Sequence, residues 1–360
     1  MRVAVQWPMF LYGNIAGNYN GYNVEFVRQF KPVIYLPGFD SLVTRGAAFK
    51  YRMQTKSKSF DWREFDYAYS AAELNAKADI LVCFNGAPYE KWNAPARGFR
   101  GMKVYHAMEY VFSPGLANQL FEQAGVDYLL GYADHGRHCA FFQHAYPGFR
   151  QRVIAVPFGY GPRFVAGPPV RSRHLKVVAM GAVNPVRDPS VANVDALQEY
   201  SRFYASEYWT HKWRYMLQQH SDQLADIMDS LLPTPPLTRS DNYDAVATCQ
   251  SYAMFANDQG LMAFPPARTY EATASGAAMV SSDHGCFADL GFVDGRNCVM
   301  HRAHDVADFR DKVSWYIRHP DRLAEVADAG KELVRRRYSH TQIARDLFNA
   351  IKARWESCKS

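Results

Sequence analysis

Arg268 and Glu271 stand three residues apart in the stretch 264–289, F-P-P-A-R-T-Y-E-A-T-A-S-G-A-A-M-V-S-S-D-H-G-C-F-A-D. The Pro-Pro turn cannot be helix interior, so a helix must begin after it. The spacing predicts a short helix over 270–275, ended by Gly276 where a left-handed C-cap residue is expected. Residues 277–281 are a compact apolar run suited to a buried parallel strand, closed by the turn-like Ser282-Asp283-His284-Gly285. A carboxylate in the first turn of a helix complements the macrodipole. An arginine just before it, beside the open N–H groups of a helix amino terminus, is chemistry for an anion.

Other residues of the right type are scattered upstream. His106 and Glu109, in Tyr105-His106-Ala-Met-Glu109-Tyr110, follow a strand read over 103–106. A His or a Glu at that place serves as a general base or holds a reacting hydroxyl, and a lone His at a strand end is also an ordinary structural residue. Glycines at 13, 17 and 21 punctuate the loop between a first strand and a helix over 24–30, with Asn18 beside Gly17. Such loops bring backbone N–H groups to phosphate, although neither G-x-G-x-x-G nor the P-loop lysine is present. Arg187 follows the strand read over 175–180 and is a third candidate for an anion.

The elements that position these residues alternate. Short apolar runs at 2–7, 33–36, 80–84, 103–106, 128–131 and 153–156 read as strands, with helical stretches at 71–76 and 114–124 between them. That alternation predicts parallel sheets covered on both faces, with ligands at the carboxyl ends of the strands. Proline and glycine density through Gly167-Pro-Pro marks a linker, and a second alternating domain opens at 175. Residues 191–232 are aromatic and helical in pattern, a stripe that reads as core or as an oligomer contact. Residues 243–252 read as a helix and 253–256 as a short strand.

The stretch around Glu271 resembles the donor-nucleotide segment of the GT-B glycosyltransferases that contain the retaining group 1 (family 4-like) enzymes. The resemblance continues through Asp289-Leu-Gly-Phe-Val-Asp-Gly-Arg-Asn-Cys-Val-Met and the terminal helices read over 305–316, 320–338 and 341–355. It covers about the last hundred residues well and the first half in outline. It implies an α/β chain of two Rossmann-like domains, acceptor-binding over 1–165 and nucleotide-sugar-binding over 170–335, with a C-terminal helix over 336–360 that crosses back to the first. By the same resemblance Glu271 accepts hydrogen bonds from the ribose. The resemblance also implies donor binding by Arg187, Thr269, Tyr270, Gly17 and Asn18 and a place for His106 at the reacting centre. Arg268, in the loop ahead of Glu271, joins the donor residues by position, and Glu109 is a catalytic candidate by its chemistry. The family motif is Glu-x7-Glu, and Ala263 stands where the first Glu is expected. The stereochemical outcome and the sugar are therefore not carried over.

Bulk properties set the remaining bounds. The 360 residues suit two domains, and hydrophobic and charged fractions of 48% and 21% are those of a soluble globular chain. No apolar run approaches the ~20 residues of a membrane span, and residues 1–8 read as a strand rather than a signal peptide. Six cysteines without a C-x-x-C pair point to reduced thiols in a cytoplasm. The net charge of +6 lies wholly in residues 1–165, which carry 18 Lys and Arg against 12 Asp and Glu; the remainder has 23 of each. The excess is sharpest at Arg45, Lys50, Arg52, Lys56 and Lys58, where no acid intervenes over 41–60.

A basic half fits an anionic acceptor, such as a bacterial surface glycan or lipid-linked precursor at the inner membrane face, or solvated lysines that aid solubility. DNA with hydroxylated bases is a second acceptor class, and a nucleotide-sugar-binding protein without turnover is a third reading. No Asp-x-Asp pair is present, so the expectation is a metal-independent transferase with no cofactor beyond the nucleotide-sugar co-substrate.

Overall fold

A computed structural model describes residues 1–6, 21–37, 61–84, 94–107, 113–181, 183, 198–204, 212–232, 244–258, 263 and 265–359. The chain divides into two compact units, Met1–Val156 together with His340–Ser360, and Pro157–Ser339.

The first unit holds strands β1 (Val3–Gln6), β2 (Val33–Tyr35), β3 (Tyr67–Ala68), β4 (Ile80–Cys83), β5 (Met102–His106), β6 (Tyr128–Gly131) and β7 (Val153–Ala155). Its described helices are α1 (Gly21–Phe30), α2 (Ala71–Lys77), α3 (Pro114–Gln123), α4 (His135–His138) and α5 (Ala140–Ala145). The sheet runs β3-β2-β1-β4-β5-β6-β7 and every pairing is parallel. Runs such as Ile80–Cys83 are buried at every position, as a sheet covered on both faces requires. The two-residue strand β3 was not expected; at that length it carries no periodic signal and exists through its pairing with Ile34 and Tyr35.

The second unit holds α6 (Gln198–Tyr204), α7 (Lys212–Gln219), α8 (Ala245–Ser251), α9 (Ala267–Ser275), α10 (Gly285–Asp289), α11 (Val306–Arg318) and α12 (Pro320–Arg337). Its strands are β8 (His174–Ala179), β9 (Met228–Ser230), β10 (Tyr252–Asn257), β11 (Ala278–Ser282) and β12 (Val299–His301), in the parallel order β12-β11-β10-β8-β9. The helical reading of 191–232 fails at its end, because Met228–Ser230 pairs with Val177–Ala179 as an edge strand. Backbone pairing overrides a weak helical pattern over three residues. Tyr200 and Trp213, at 0% and 1% exposure, are core.

The last helix, α13 (His340–Ser357), returns to the first unit and lies along α1. Phe348 stacks flat on Phe30 with ring centroids 4.0 Å apart, and Gln29 donates to the Thr341 carbonyl at 3.1 Å. Gly21 opens α1 directly against the His340 ring, which leaves no space for a Cβ. The apolar side of α13 is buried at Ile343, Leu347 and Ile351, which is why the tail docks instead of fraying. Among the described residues, no helix is long and apolar enough to cross a membrane.

Candidate functional site

Helix α9 is the centre of the second unit. Its N-cap is Pro266, which makes no side-chain cap hydrogen bond. The Thr269 N–H is taken by the Pro266 carbonyl at 2.9 Å, and the other N–H groups of a first turn have no acceptor within the helix, which is what a helix amino terminus offers an anion. Its other end is tightly closed. Gly276 sits at φ 95°, with its N–H on the Thr273 carbonyl (2.9 Å) and the Ala277 N–H on the Ala272 carbonyl (3.0 Å). This is the double-bonded left-handed cap expected from the sequence. Two arginines reinforce it: Arg335 donates to the Ala274 carbonyl at 2.9 Å and Arg173 to the Ser275 carbonyl at 2.5 Å. Cationic donors at a helix carboxyl end satisfy its orphan carbonyls and oppose its dipole.

The four residues assigned to donor binding on α9 point in different directions. Thr269 is fully buried and its hydroxyl accepts from Asn257 on β10 at 3.0 Å. Tyr270 is fully buried against Tyr338, ring centroids 5.2 Å apart, and its hydroxyl has no hydrogen-bond partner. In this structure both are packing residues, Thr269 against the sheet and Tyr270 against the segment that ends α12. Arg268 and Glu271 instead pair with each other at 3.1 Å, the guanidinium also reaching the Cys249 Sγ at 3.6 Å. Glu271 is 3% exposed, and the guanidinium offsets the cost of burying that carboxylate. Burial, only partly opposed by Arg268, pushes the Cys249 thiol up to about 11. Ala263, where the family motif has its first Glu, is buried in a left-handed turn at φ 52°.

A second group lies at the carboxyl edge of the same sheet. Ser282 ends β11, with its Oγ hydrogen-bonded to Asp258 just past β10, and its strand partner on β12 is His301. The Nδ1 of His301 lies 2.9 Å from the Arg302 carbonyl and must be the protonated nitrogen, so Nε2 is an acceptor. That Nε2 is buried without a hydrogen-bond partner, as is Nε1 of Trp213, whose ring centroid lies 4.7 Å from the imidazole. Burial lowers the His301 pKa and keeps the ring neutral. These residues carried no sequence signal, because they are neighbours only across strands.

In the first unit, His106 does end β5, as the sequence reading has it. It is 2% exposed, its Nε2 is 3.5 Å from the Tyr22 hydroxyl, and its Nδ1 is buried without a partner. Desolvation lowers its pKa to about 3. His106 is therefore a neutral ring that exchanges hydrogen bonds and does not titrate near neutrality. Glu109, Arg187, Gly17, Asn18, Arg45, Lys50, Arg52, Lys56 and Lys58 lie outside the described residues. No group of three or more His, Cys, Asp or Glu suited to a metal ion occurs among the described residues.

Residues 236–349, which include α9 and its surroundings, match the model of a family described as glycosyl transferase-like. Known structures extend the likeness to the whole chain. The Anabaena HepE protein in complex with UDP-glucose is 10% identical, with 98% of this chain and 100% of that chain covered and a TM-score of 0.55. A glycosyltransferase from Rickettsia africae is 7% identical, with 98% and 97% covered and a TM-score of 0.56. Sucrose-phosphate synthase from Thermosynechococcus elongatus is 8% identical, with 99% and 100% covered and a TM-score of 0.52. The fold is that of the GT-B glycosyltransferases. No curated protein sequence matches this chain. In this GT-B chain the terminal helix α13 belongs with the first sheet, and the glycosyl transferase-like stretch carries the uncapped helix and its Arg268–Glu271 pair.

Proposed function

We propose that this chain transfers a sugar from a nucleoside-diphosphate sugar to an acceptor hydroxyl without help from a metal ion. The observation that carries the reading is the amino terminus of α9: its N-cap Pro266 makes no side-chain cap hydrogen bond, and the Arg268–Glu271 pair follows within one turn in the glycosyl transferase-like stretch. Cleavage of a sugar–diphosphate bond leaves negative charge on the departing phosphate oxygens. Fixed dipoles aimed at that charge lower the barrier without reorganising. In this reading the α9 N–H groups, Arg268 and Arg187 take the diphosphate, and Gly17 and Asn18 are further candidates for donor binding. Glu271, held by Arg268, accepts the ribose hydroxyls, and the buried turn of Ala263 leaves no carboxylate to hold the transferred sugar as the first Glu of the motif would.

The acceptor side belongs to the first unit. There Glu109 is the candidate base, and His106 contributes a buried neutral ring at the end of β5. Arg45, Lys50, Arg52, Lys56 and Lys58 fit an anionic acceptor, such as a surface glycan or lipid-linked precursor reached from the cytoplasm at the inner membrane face. The HepE structures hold UDP and UDP-glucose, which puts uridine donors first in a panel.

The test is calorimetric titration with UDP, GDP, ADP and their glucose conjugates, in wild type and Glu271→Ala. Binding of one nucleotide, weakened at least about tenfold by the substitution, supports the assignment. Equal affinity in both proteins, or no binding to any member, removes it.

A further inference from the structure

The first unit carries a cavity of about 500 Å³ at the end of its sheet opposite the carboxyl edge. Asp79 immediately precedes β4, Arg100 lies just before β5 and Asp127 immediately precedes β6, so the floor is the amino ends of three adjacent strands. Asn75 from the last turn of α2, and Trp355 and Lys359 from the end of α13, complete the lining used here. The volume lies within the range of small-molecule sites.

The lining is held in place. Asn75 donates from Nδ2 to the Gly98 carbonyl and accepts at Oδ1 from the Arg100 N–H, both at 2.9 Å. Asp79 accepts from the Arg2 N–H at 2.7 Å, and Asp127 Oδ2 from the Lys103 N–H at 2.7 Å. Gly101 passes so close to the Asp79 carbonyl that no Cβ fits there. These bonds fix the side chains without exhausting them. Among the described residues, Asp127 Oδ1 has no partner, and the exposed Arg100 guanidinium makes no hydrogen bond or ion pair. The Lys359 ammonium sits 3.8 Å from the centroid of the half-buried Trp355 ring and makes no other polar contact.

We infer that this cavity is a second binding site, for a neutral sugar unit of a glycan. The Trp355 ring offers a π face that polarised C–H groups of a pyranose pack against, as Lys359 already does. An exposed cation–π contact is weak, so a sugar displaces it readily. Asp127 Oδ1 accepts from a hydroxyl while Arg100 and Lys359 donate to others, and a sugar hydroxyl does both. Asp79 is paired with Arg2 and the N-terminal ammonium, which leaves Asp127 as the carboxylate facing the space; its open oxygen repels a phosphate and accepts from a hydroxyl, so a neutral polyol is the preferred occupant. The site lies within one unit and does not depend on the donor assignment. In a transferase it would hold a distal unit of an oligosaccharide, raising the local concentration of the acceptor.

The experiment is saturation-transfer NMR with maltotriose, cellotriose and chitotriose, and separately with inorganic pyrophosphate. It uses the full chain as wild type, Trp355→Ala, Arg100→Ala, Asp127→Asn and Glu271→Gln. The expected result is binding of at least one trisaccharide, about tenfold weaker once the ring is removed, weakened in the Arg100 and Asp127 variants, and unchanged in Glu271→Gln. Thermal melting of each variant confirms that it is folded. Absence of binding by all three sugars overturns the inference, as does binding indifferent to Trp355→Ala in a folded protein. Competition of pyrophosphate for the same ring would assign an anion site instead. UDP titrated into the same samples reports the donor site separately, so failure of one reading is distinguishable from failure of the other.

Discussion

Glu271 Oε2 and Arg268 Nη1 lie 3.1 Å apart on successive turns of α9, the carboxylate side chain 4% exposed and the guanidinium 19%. Removing one partner of such a pair leaves the other charge buried alone, which costs more than the pair itself contributes. Arg268→Ala is expected to destabilise the chain by about 3 kcal/mol, reduced by whatever water reaches the site. The double replacement Arg268→Met with Glu271→Leu is expected to recover most of that loss while abolishing nucleotide binding. Urea denaturation of the three proteins, with calorimetry on the folded ones, checks both halves. Recovered stability with retained binding would dissociate the pair from the donor site.

His106 supplies a pH dependence of stability. Its folded pKa is lowered to about 3, because burial disfavours the charged ring. An unfolded His takes up its proton near pH 6.5, so above that pH both states are neutral and the full stability is present. As pH falls below 6.5 the unfolded state binds a proton that the folded state refuses, and stability drops by up to about 1.4 kcal/mol per pH unit until pH 3. Chemical denaturation between pH 7 and 4 is expected to show this slope, smaller by close to one proton in His106→Gln. An unchanged slope would place the proton uptake elsewhere.

Arg173 ties three segments together. It donates to the Pro168 carbonyl at 2.7 and 2.9 Å, to Cys249 at 3.1 Å, to Tyr252 at 3.3 Å and to Ser275 at the end of α9. A lysine cannot reproduce the planar fork. Arg173→Lys is expected to cost about 2 kcal/mol, as buried carbonyls lose their donors. Amide hydrogen exchange should show the loss first at the C-terminal turn of α9 and the start of β10. Uniform loss of protection across the second unit would contradict this local role.

Two glycines around α9 respond to a methyl group for different reasons. Gly276 is at φ 95°, so Gly276→Ala is expected to cost about 1 kcal/mol in backbone strain. At Gly330 a Cβ would lie 2.6 Å from the Asn297 carbonyl and 3.2 Å from Thr273 Cγ2, so Gly330→Ala must push α12 away from the Asn297 backbone and crowds α9 at Thr273. The expected cost is about 1–3 kcal/mol, with weaker nucleotide binding because α9 shifts. Gly276→Asn, which tolerates the left-handed region, should recover part of the first loss but has no counterpart at 330. Melting temperatures of the three variants order these effects.

Local patterns carried much of the fold. Every strand but β3, β9 and β12 follows from short apolar runs between turn residues, and the Pro-Pro start and Gly276 stop of α9 follow from backbone constraints that act within a few residues. Both units have the parallel sheets that strand–helix alternation implies. The edge strands β3 and β9 were not legible, since two or three residues carry no period and become strands only through a neighbour's hydrogen bonds.

The sequence by itself placed a guanidinium just ahead of a short helix and a carboxylate at its start, because the Pro-Pro turn and Gly276 bound that helix locally. The helix in fact begins at Ala267, which puts Arg268 in its first turn and Glu271 just beyond it. Tertiary structure decided what those residues face. It turned Thr269 and Tyr270 into the core, paired Arg268 with Glu271, and made His106 neutral by removing water from around it. It also brought Ser282, Asp258 and His301 together across three strands, and closed a cavity between the amino ends of β4–β6 and a helix more than two hundred residues away in sequence. Side-chain direction, burial and cross-strand proximity depend on packing between distant segments, and no local pattern of residues encodes them.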